Sequence, residues 1–227
     1  QVKGWSKISY ALLVVNFILQ VYILTTTLIG SPSPELLWGA IFGFIGSNLA
    51  VLTVCGISNL SPIQGWAAAC SAVFIILSAA IAHNYANIVE QLVYFFALDL
   101  FCILDPQWNE DIHVESFKSW LDWIKYIIFF VVAWGIVYYL FGLTDDPSLF
   151  WDSLTLALAL TGSLLELNLK KEQYVVWILG NITAIFLWFS SFQLGTASPA
   201  LFVTYMIFFI NSLQGAYNWN KLSHKSK

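Results

Sequence analysis

An all-α integral membrane protein with eight transmembrane helices is the fold class this sequence predicts. Three observations carry it. Of 227 residues, 59% are hydrophobic and only 10% charged, against about 25% charged in a soluble domain. The apolar residues form long unbroken runs near the ~20 residues a membrane helix needs; barrel strands would be ~10-residue alternating segments. The chain has nine lysines and no arginine, and all nine fall on one side once eight spans are threaded. Helices satisfy every backbone group inside lipid, so they are the expected element.

The spans read as 8–29, 36–56, 62–82, 86–104, 122–143, 150–167, 174–191 and 199–217. The first is too long for the apolar region of a signal peptide and lacks a small-residue cleavage site, so a true helix is expected. Ser-Pro pairs at 31–34, 61–62 and 198–199 mark turns or helix starts. The third and fourth spans are separated only by HNYA, around His83. With eight spans, the even-numbered connections share a side with both termini. That side carries Lys3, Lys7, Lys118, Lys125, Lys170, Lys171, Lys221, Lys225 and Lys227, while the other carries Glu35, His83, Asp145 and Asp146. The positive-inside rule then places both termini in the cytoplasm. Merging spans three and four would divide the lysines between the two sides.

An internal repeat organises the spans. FFALD at 95–99 is echoed by FFIN at 208–211, each late in its span and each followed by a tryptophan, Trp108 or Trp219. Gly46-Ser47 is echoed by Gly162-Ser163. Asp99 and Asn211 are 112 residues apart, Gly46 and Gly162 116. Two parallel three-helix repeats need one extra span between them, giving a 1+3+1+3 order. The expected domains are an N-terminal extra helix (1–30), a first repeat (36–104), a cytoplasmic loop (105–121), a linker helix (122–143), a second repeat (150–217) and a cytoplasmic tail (218–227). Transporters built from parallel repeats hold substrate near the midplane at the repeat interface.

Several function classes are excluded. There is no Walker loop or GxGxxG, so nucleotide-driven and dinucleotide chemistry, and with them a cofactor, are not expected. His83, His113 and His224 lack metal-ligand spacing. Cys55, Cys70 and Cys102 lie in apolar runs without a CxxC, and read as small buried hydrophobes. No basic stripe suits nucleic acid. A membrane enzyme would need a nucleophile with a base or a metal cluster, and neither is found.

Polar residues inside spans are the functional candidates. Asn84, Asn87 and Gln91 follow i, i+3, i+7 and share a face. Asp99 lies about 80° round from Gln91 in a straight α-helix, and Glu90 nearly opposite Asp99. Asp99 is the better cavity candidate; Glu90, near the outer end, reads as interfacial or interhelical. Asn211, Gln214 and Asn218 repeat the i, i+3, i+7 device. Trp177, Asn181 and Trp188 fall within about 40° of one face, an amide between two indoles. Indoles suit a flat cation; an amide can bind a carboxamide or hydroxyl. Buried amides also serve as interhelical glue worth ~0.6 kcal/mol. Trp108, Trp219 and Tyr217 read as interfacial aromatic belt. Asp152 reads as a helix N-terminal carboxylate favoured by the dipole, and the acidic stretch from Asp105 to Asp122 as a solvated loop.

Against this background, Trp151-Asp152-Ser153, Trp177 with Asn181, and Asn211 with Gly215, Tyr217 and Trp219 resemble the PnuC family of vitamin transporters. Tyr85, Ala86 and Gln91 resemble the first-repeat stretch of that family. The resemblance covers roughly 36–220 and is stronger in the second repeat. It implies a duplicated SWEET-like fold, often a homotrimer in the bacterial inner membrane, and nicotinamide riboside as substrate. It also implies facilitated diffusion by alternating access, with a separate cytoplasmic kinase trapping the product. Gln91, Asp99, Trp177, Asn181, Trp188, Asn211, Gln214 and Asn87 are the substrate contacts expected on this basis. Two departures bear on the ligand. Asp99 stands where some members have asparagine, and the third span starts small and apolar from Gly65. Thiamine, another flat cation, is the alternative substrate, and a proton-coupled symporter using Asp99 or Glu90 the alternative mechanism.

Overall fold

The computed structural model describes residues 3–30, 33–81, 85–105, 108, 113–143, 149–193 and 199–223; side chains at 85–87, 190–193 and 199–201 lie outside the description. The chain divides into two compact units, Gln1–Ile112 and His113–Lys227.

The first unit contains α1 (Lys7–Ile29), α2 (Pro34–Ser58), α3 (Ile63–Ile81), α4 (Tyr85–Tyr94) and α5 (Leu100–Leu104). A π-helical segment, Phe95–Asp99, joins α4 to α5 with helical backbone on both sides, so the three run on as one rod. The second unit contains α6 (Trp120–Phe141), α7 (Leu149–Leu167), α8 (Gln173–Gln193) and α9 (Pro199–Ser223). These eight rods coincide with the eight expected spans. By length and hydropathy, α1, α2, α3, α6 and α7 each suffice to cross a membrane.

Local chemistry sets the helix starts. Ser6 and Ser33 cap α1 and α2 by accepting from Ser9 N and Leu36 N, and Pro34 occupies the first turn, where its missing N–H costs nothing. Ser119 and Asp122 form a reciprocal capping box at α6. Ser31, Pro32 and Ser198 of the Ser-Pro pairs lie outside the described residues, as do His83, Asn84, Asp145, Asp146, His224, Lys225 and Lys227.

Polar glue fastens α1 to α2. Asn59 Nδ2 donates to Ser9 Oγ at 2.7 Å, Ser6 N donates to Asn59 Oδ1 at 2.9 Å, and Asn16 Nδ2 donates to Asn48 Oδ1 at 3.0 Å. α3 packs on α2 through an alanine face, with Ser71 Oγ donating to the Gly46 carbonyl at 2.8 Å.

The turns after α2 and after α7 are built alike. Leu60 and Leu169 both have φ 52°. Ser61 N donates to Gly56 O and Lys170 N to Leu165 O, both at 2.9 Å. Asn59 and Asn168 each turn Nδ2 back onto the carbonyl four residues earlier, at 2.7 Å. Gln64 and Gln173 follow, and both are buried. Each matched pair is 109 residues apart. The register expected from Gly46-Ser47 and Gly162-Ser163 is therefore wrong: at the turn's spacing Gly46 pairs with Thr155, and Gly162 with Thr53. Those two glycines sit at different heights on α2 and α7.

The expected solvated loop is partly docked. Val114 is buried, Glu115 N donates to Leu169 O at 2.9 Å, and Lys171 N donates to Glu115 O at 3.0 Å. Glu115 also pairs with the Lys170 ammonium, and Phe117 N donates to Glu172 Oε1 at 3.0 Å. A second expectation fails at the tryptophans. Trp108 and Trp219 are 1% and 0% exposed, so neither is a lipid-facing belt residue, whereas Tyr217 is exposed. Cys55 and Cys102 are buried as expected; Cys70 is exposed.

Candidate functional site

The second unit gathers most of the expected contacts along α8. Asn181 is buried and its Nδ2 donates to Ser212 Oγ on α9 at 2.8 Å. Ser212 in turn donates its hydroxyl to the Phe208 carbonyl at 2.9 Å. That hydroxyl has one proton, so towards Asn181 it can only accept, and the orientation of the Asn181 amide is fixed. Asn181 Oδ1 then points away and takes no donor among the described residues.

Two aromatic surfaces lie on the same helix, one turn before this amide and two turns after it. Trp188 lies nearly parallel to Tyr205 of α9, with centroids 6.5 Å apart and planes at 19°, and Phe208 meets Tyr205 edge-on at 5.5 Å. Trp177 turns instead to α7. A Cβ on Gly162 would stand 2.9 Å from Trp177 Cε2, so the absence of a side chain there makes room for the indole. Trp177 Nε1 donates to Gln173 Oε1 at 3.2 Å, one turn earlier on α8. At 1.5 Å rise per residue the two indoles lie about 16 Å apart along the helix. One flat ring therefore cannot touch both; a ligand held at Asn181 reaches one or the other.

The remaining expected residues divide. Asn211 is buried next to Ser212. Gln214 Nε2 donates to Asn218 Oδ1 at 3.1 Å, one turn on in the same helix. In the first unit, Gln91 is half-buried on α4 and Asp99 is buried. The π-helical segment winds more slowly than an α-helix, so the 80° separation expected between them does not apply. Tyr94 Oη donates to Glu90 Oε1 at 3.4 Å. The side chain of Asn87 lies outside the described residues.

Sequence reasoning missed the supporting shell. Gln173, Ser212 and Tyr205 hold Trp177, Asn181 and Trp188 in place. Tyr174 packs edge-on against Trp219 at 5.6 Å and lies directly over Gly215. The i−4 spacing of Gln173 from Trp177 was the available signal. Ser212 and Tyr205 have none, because they act across helices.

With this geometry in place, the family model described as nicotinamide mononucleotide transporter matches residues 40–221. The chain belongs to that family. It is a multi-pass membrane protein of a transporter family, with five helices among the described residues long and apolar enough to span a bilayer. The nicotinamide riboside transporter PnuC of Haemophilus influenzae is 37% identical over 71 residues, covering 31% of this chain and 28% of that protein. PnuC of Neisseria mucosa is 33% identical over 72 residues, covering 31% and 27%. The matched stretch thus spans under a third of either relative. The crystal structure of the vitamin B3 transporter PnuC superposes with a TM-score of 0.78 at 18% identity, covering 99% of this chain and 95% of that one. That likeness establishes an all-α fold shared with that structure.

Proposed function

We propose that the chain carries nicotinamide riboside across the membrane by facilitated diffusion with alternating access, and that a separate kinase traps it by phosphorylation. Membership of the family and the substrate for which its relatives are named support the substrate class. The observation that carries the site is the Asn181 amide, locked by Ser212 with its oxygen left free, beside the near-parallel Trp188 and Tyr205 rings. The free oxygen accepts from the carboxamide of nicotinamide. Trp188 and Tyr205 offer a ring face to the pyridinium, and Trp177, held by Gln173, offers the other aromatic surface within reach of Asn181. Asn211 supplies a further buried amide for a ribose hydroxyl. The twin turns after α2 and α7 favour the duplicated 1+3+1+3 organisation. The lysine distribution favours cytoplasmic termini in a bacterial inner membrane. A homotrimer is the proposed assembly, by family resemblance.

Isothermal titration of the purified chain in detergent with nicotinamide riboside, and separately with thiamine, tests the substrate. Saturable binding of nicotinamide riboside is the expected result; binding of thiamine alone would keep the site and change the vitamin. Asn181→Ala and Trp188→Ala should each weaken binding by about tenfold or more, with folded protein retained. Unchanged affinity in both would refute this site. With the membrane potential clamped at zero, uptake into vesicles lacking any kinase should equilibrate without accumulation and be indifferent to an imposed pH gradient; accumulation driven by the pH gradient would establish proton coupling instead.

A further inference from the structure

A cavity of about 360 Å³ lies between the first turns of α6 and the end of α7, wholly within the second unit. Asp122, Lys125, Asn168 and Lys170 line its polar part, Phe129 and Leu164 its apolar part. Phe129 lies one turn further into α6 than Lys125, and Leu164 one turn further into α7 than Asn168. Polarity therefore falls along both helices in the same direction, from their ends inward. Phe117 and Tyr126, stacked at 5.3 Å with planes at 15°, form a side wall. The docked segment completes the site: Phe117 is held by its amide bond to Glu172, and Glu115 by Lys170 and Lys171.

The charged groups keep capacity for a ligand. Asp122 Oδ2 accepts from Lys118 N and Ser119 N at 3.0 and 3.2 Å, while Oδ1 meets only Lys125 Nζ, at 3.5 Å. That is longer than an ordinary hydrogen bond, so both partners can still bond elsewhere. Lys170 pairs with Glu115, and an ammonium has three donors. Tyr126 Oη has no hydrogen-bond partner among the described residues. Two cations and a carboxylate thus face one space.

Its depth in the bilayer follows from α6. That helix is long and apolar enough to span, and Trp120 and Trp123 are exposed on its first turns, where indoles sit at the headgroup level. Below the cavity, Phe129, Val132 and Ile136 follow i, i+3, i+7 and are all exposed, an apolar stripe about 10 Å long. A water-soluble phosphate compound would use the polar mouth alone; a lipid uses the mouth and the stripe.

We infer that this cavity binds a phospholipid whose headgroup carries both a phosphate and a primary ammonium, with an acyl chain along the α6 stripe. Lys125, Lys170 and Tyr126 Oη donate to the phosphate, and Asp122 Oδ1 accepts from the ammonium. A purely anionic headgroup would meet the Asp122 carboxylate without a cation to offer it. The inference does not depend on the transported substrate.

The test is native mass spectrometry of the full chain, stripped of lipid in detergent and titrated with dihexanoyl phosphatidylethanolamine, dihexanoyl phosphatidylglycerol, phosphoethanolamine or inorganic phosphate. Phosphatidylethanolamine should bind most tightly, saturating at one per chain. Lys125→Glu, at an exposed side chain, should weaken it about tenfold, because reversal removes one attraction and adds one repulsion. Lys7→Glu makes the same charge change in the first unit and should leave binding as it was. Equal binding by Lys125→Glu and the unchanged protein, or equal weakening by Lys7→Glu, overturns the site. Tighter binding of phosphatidylglycerol overturns the zwitterionic headgroup. Phosphoethanolamine or phosphate binding as tightly as the lipid overturns the role of the stripe and makes the ligand a soluble phosphate.

Discussion

Gly162→Ala should drive the Trp177 indole out of its seat on α7. The new Cβ would stand 2.9 Å from Trp177 Cε2 and 3.1 Å from two neighbouring ring atoms, where ordinary contact begins at 3.4 Å. The indole must therefore retreat by about 0.5 Å, and a rigid bicyclic ring retreats as a whole. A retreat along the hydrogen-bond direction would stretch the Trp177–Gln173 bond from 3.2 Å to about 3.7 Å, beyond useful geometry. Overpacking of this kind costs ~1–3 kcal/mol, which for a chain of this length corresponds to a fall of roughly 3–10 °C in Tm. Thermal unfolding of the purified chain in detergent measures it. A cycle with Trp177→Leu, which removes the ring, tells contact from helix propensity: in that background Gly162→Ala should cost little. Equal losses of Tm with and without Trp177, a coupling below ~0.5 kcal/mol, would refute the packing argument.

Two further predictions follow from the same geometry. Ser212→Ala leaves the Asn181 Nδ2 buried without its acceptor, at ~1–3 kcal/mol. It also unlocks the amide, so both Tm and affinity for nicotinamide riboside should fall; a fall in Tm alone would mean that Asn181 is structural. The docked loop should respond to acid. Hydrogen bonding and charge from Lys170 hold the Glu115 carboxyl below its usual range. A depressed folded-state pKa contributes stability above the unfolded value and loses it as pH falls through the folded one. Protection of the amides at 113–119, taken as exchange relative to the unprotected rate at each pH, should be high at neutral pH and fall on acidification, and Glu115→Gln should abolish that difference. Acid sensitivity persisting in Glu115→Gln would locate the latch elsewhere.

The eight rods were legible because bilayer thickness sets their length and lysine placement sets their parity. Boundaries moved by a few residues at most, except at the end of α9, where the expected span stopped at 217 and the helix runs on to Ser223. Trp108 and Trp219 were misjudged for a physical reason. Their sequence positions near span ends are those of belt residues, but sequence position carries no azimuth, and both turn inward. The π-turn before Asp99 was invisible, since nothing in FFALD separates it from ordinary helix. The repeat was suspected from the wrong glycines. The true marker is the turn built around Asn59-Leu60 and Asn168-Leu169, a short motif whose meaning lies in a left-handed leucine and a capping amide. Asn181 and Trp188 were legible as intramembrane polar and aromatic residues; Ser212 and Tyr205, which orient them, became visible only with the helices placed.

The matched turns also show where the two units part company. Carried up from the turn at 109 residues, the helices α3 and α8 set Ala68 opposite Trp177 and Ala72 opposite Asn181. Both alanines are buried, so one frame carries small packing residues in the first unit and an indole and an amide in the second. The last rods differ in the other direction: Asp99 and Asn211 are both buried, but only the first is a carboxylate. The turn and the helix frame are thus shared between the units, while the buried side chains hung on that frame diverge: alanines on α3 stand where α8 carries an indole and an amide.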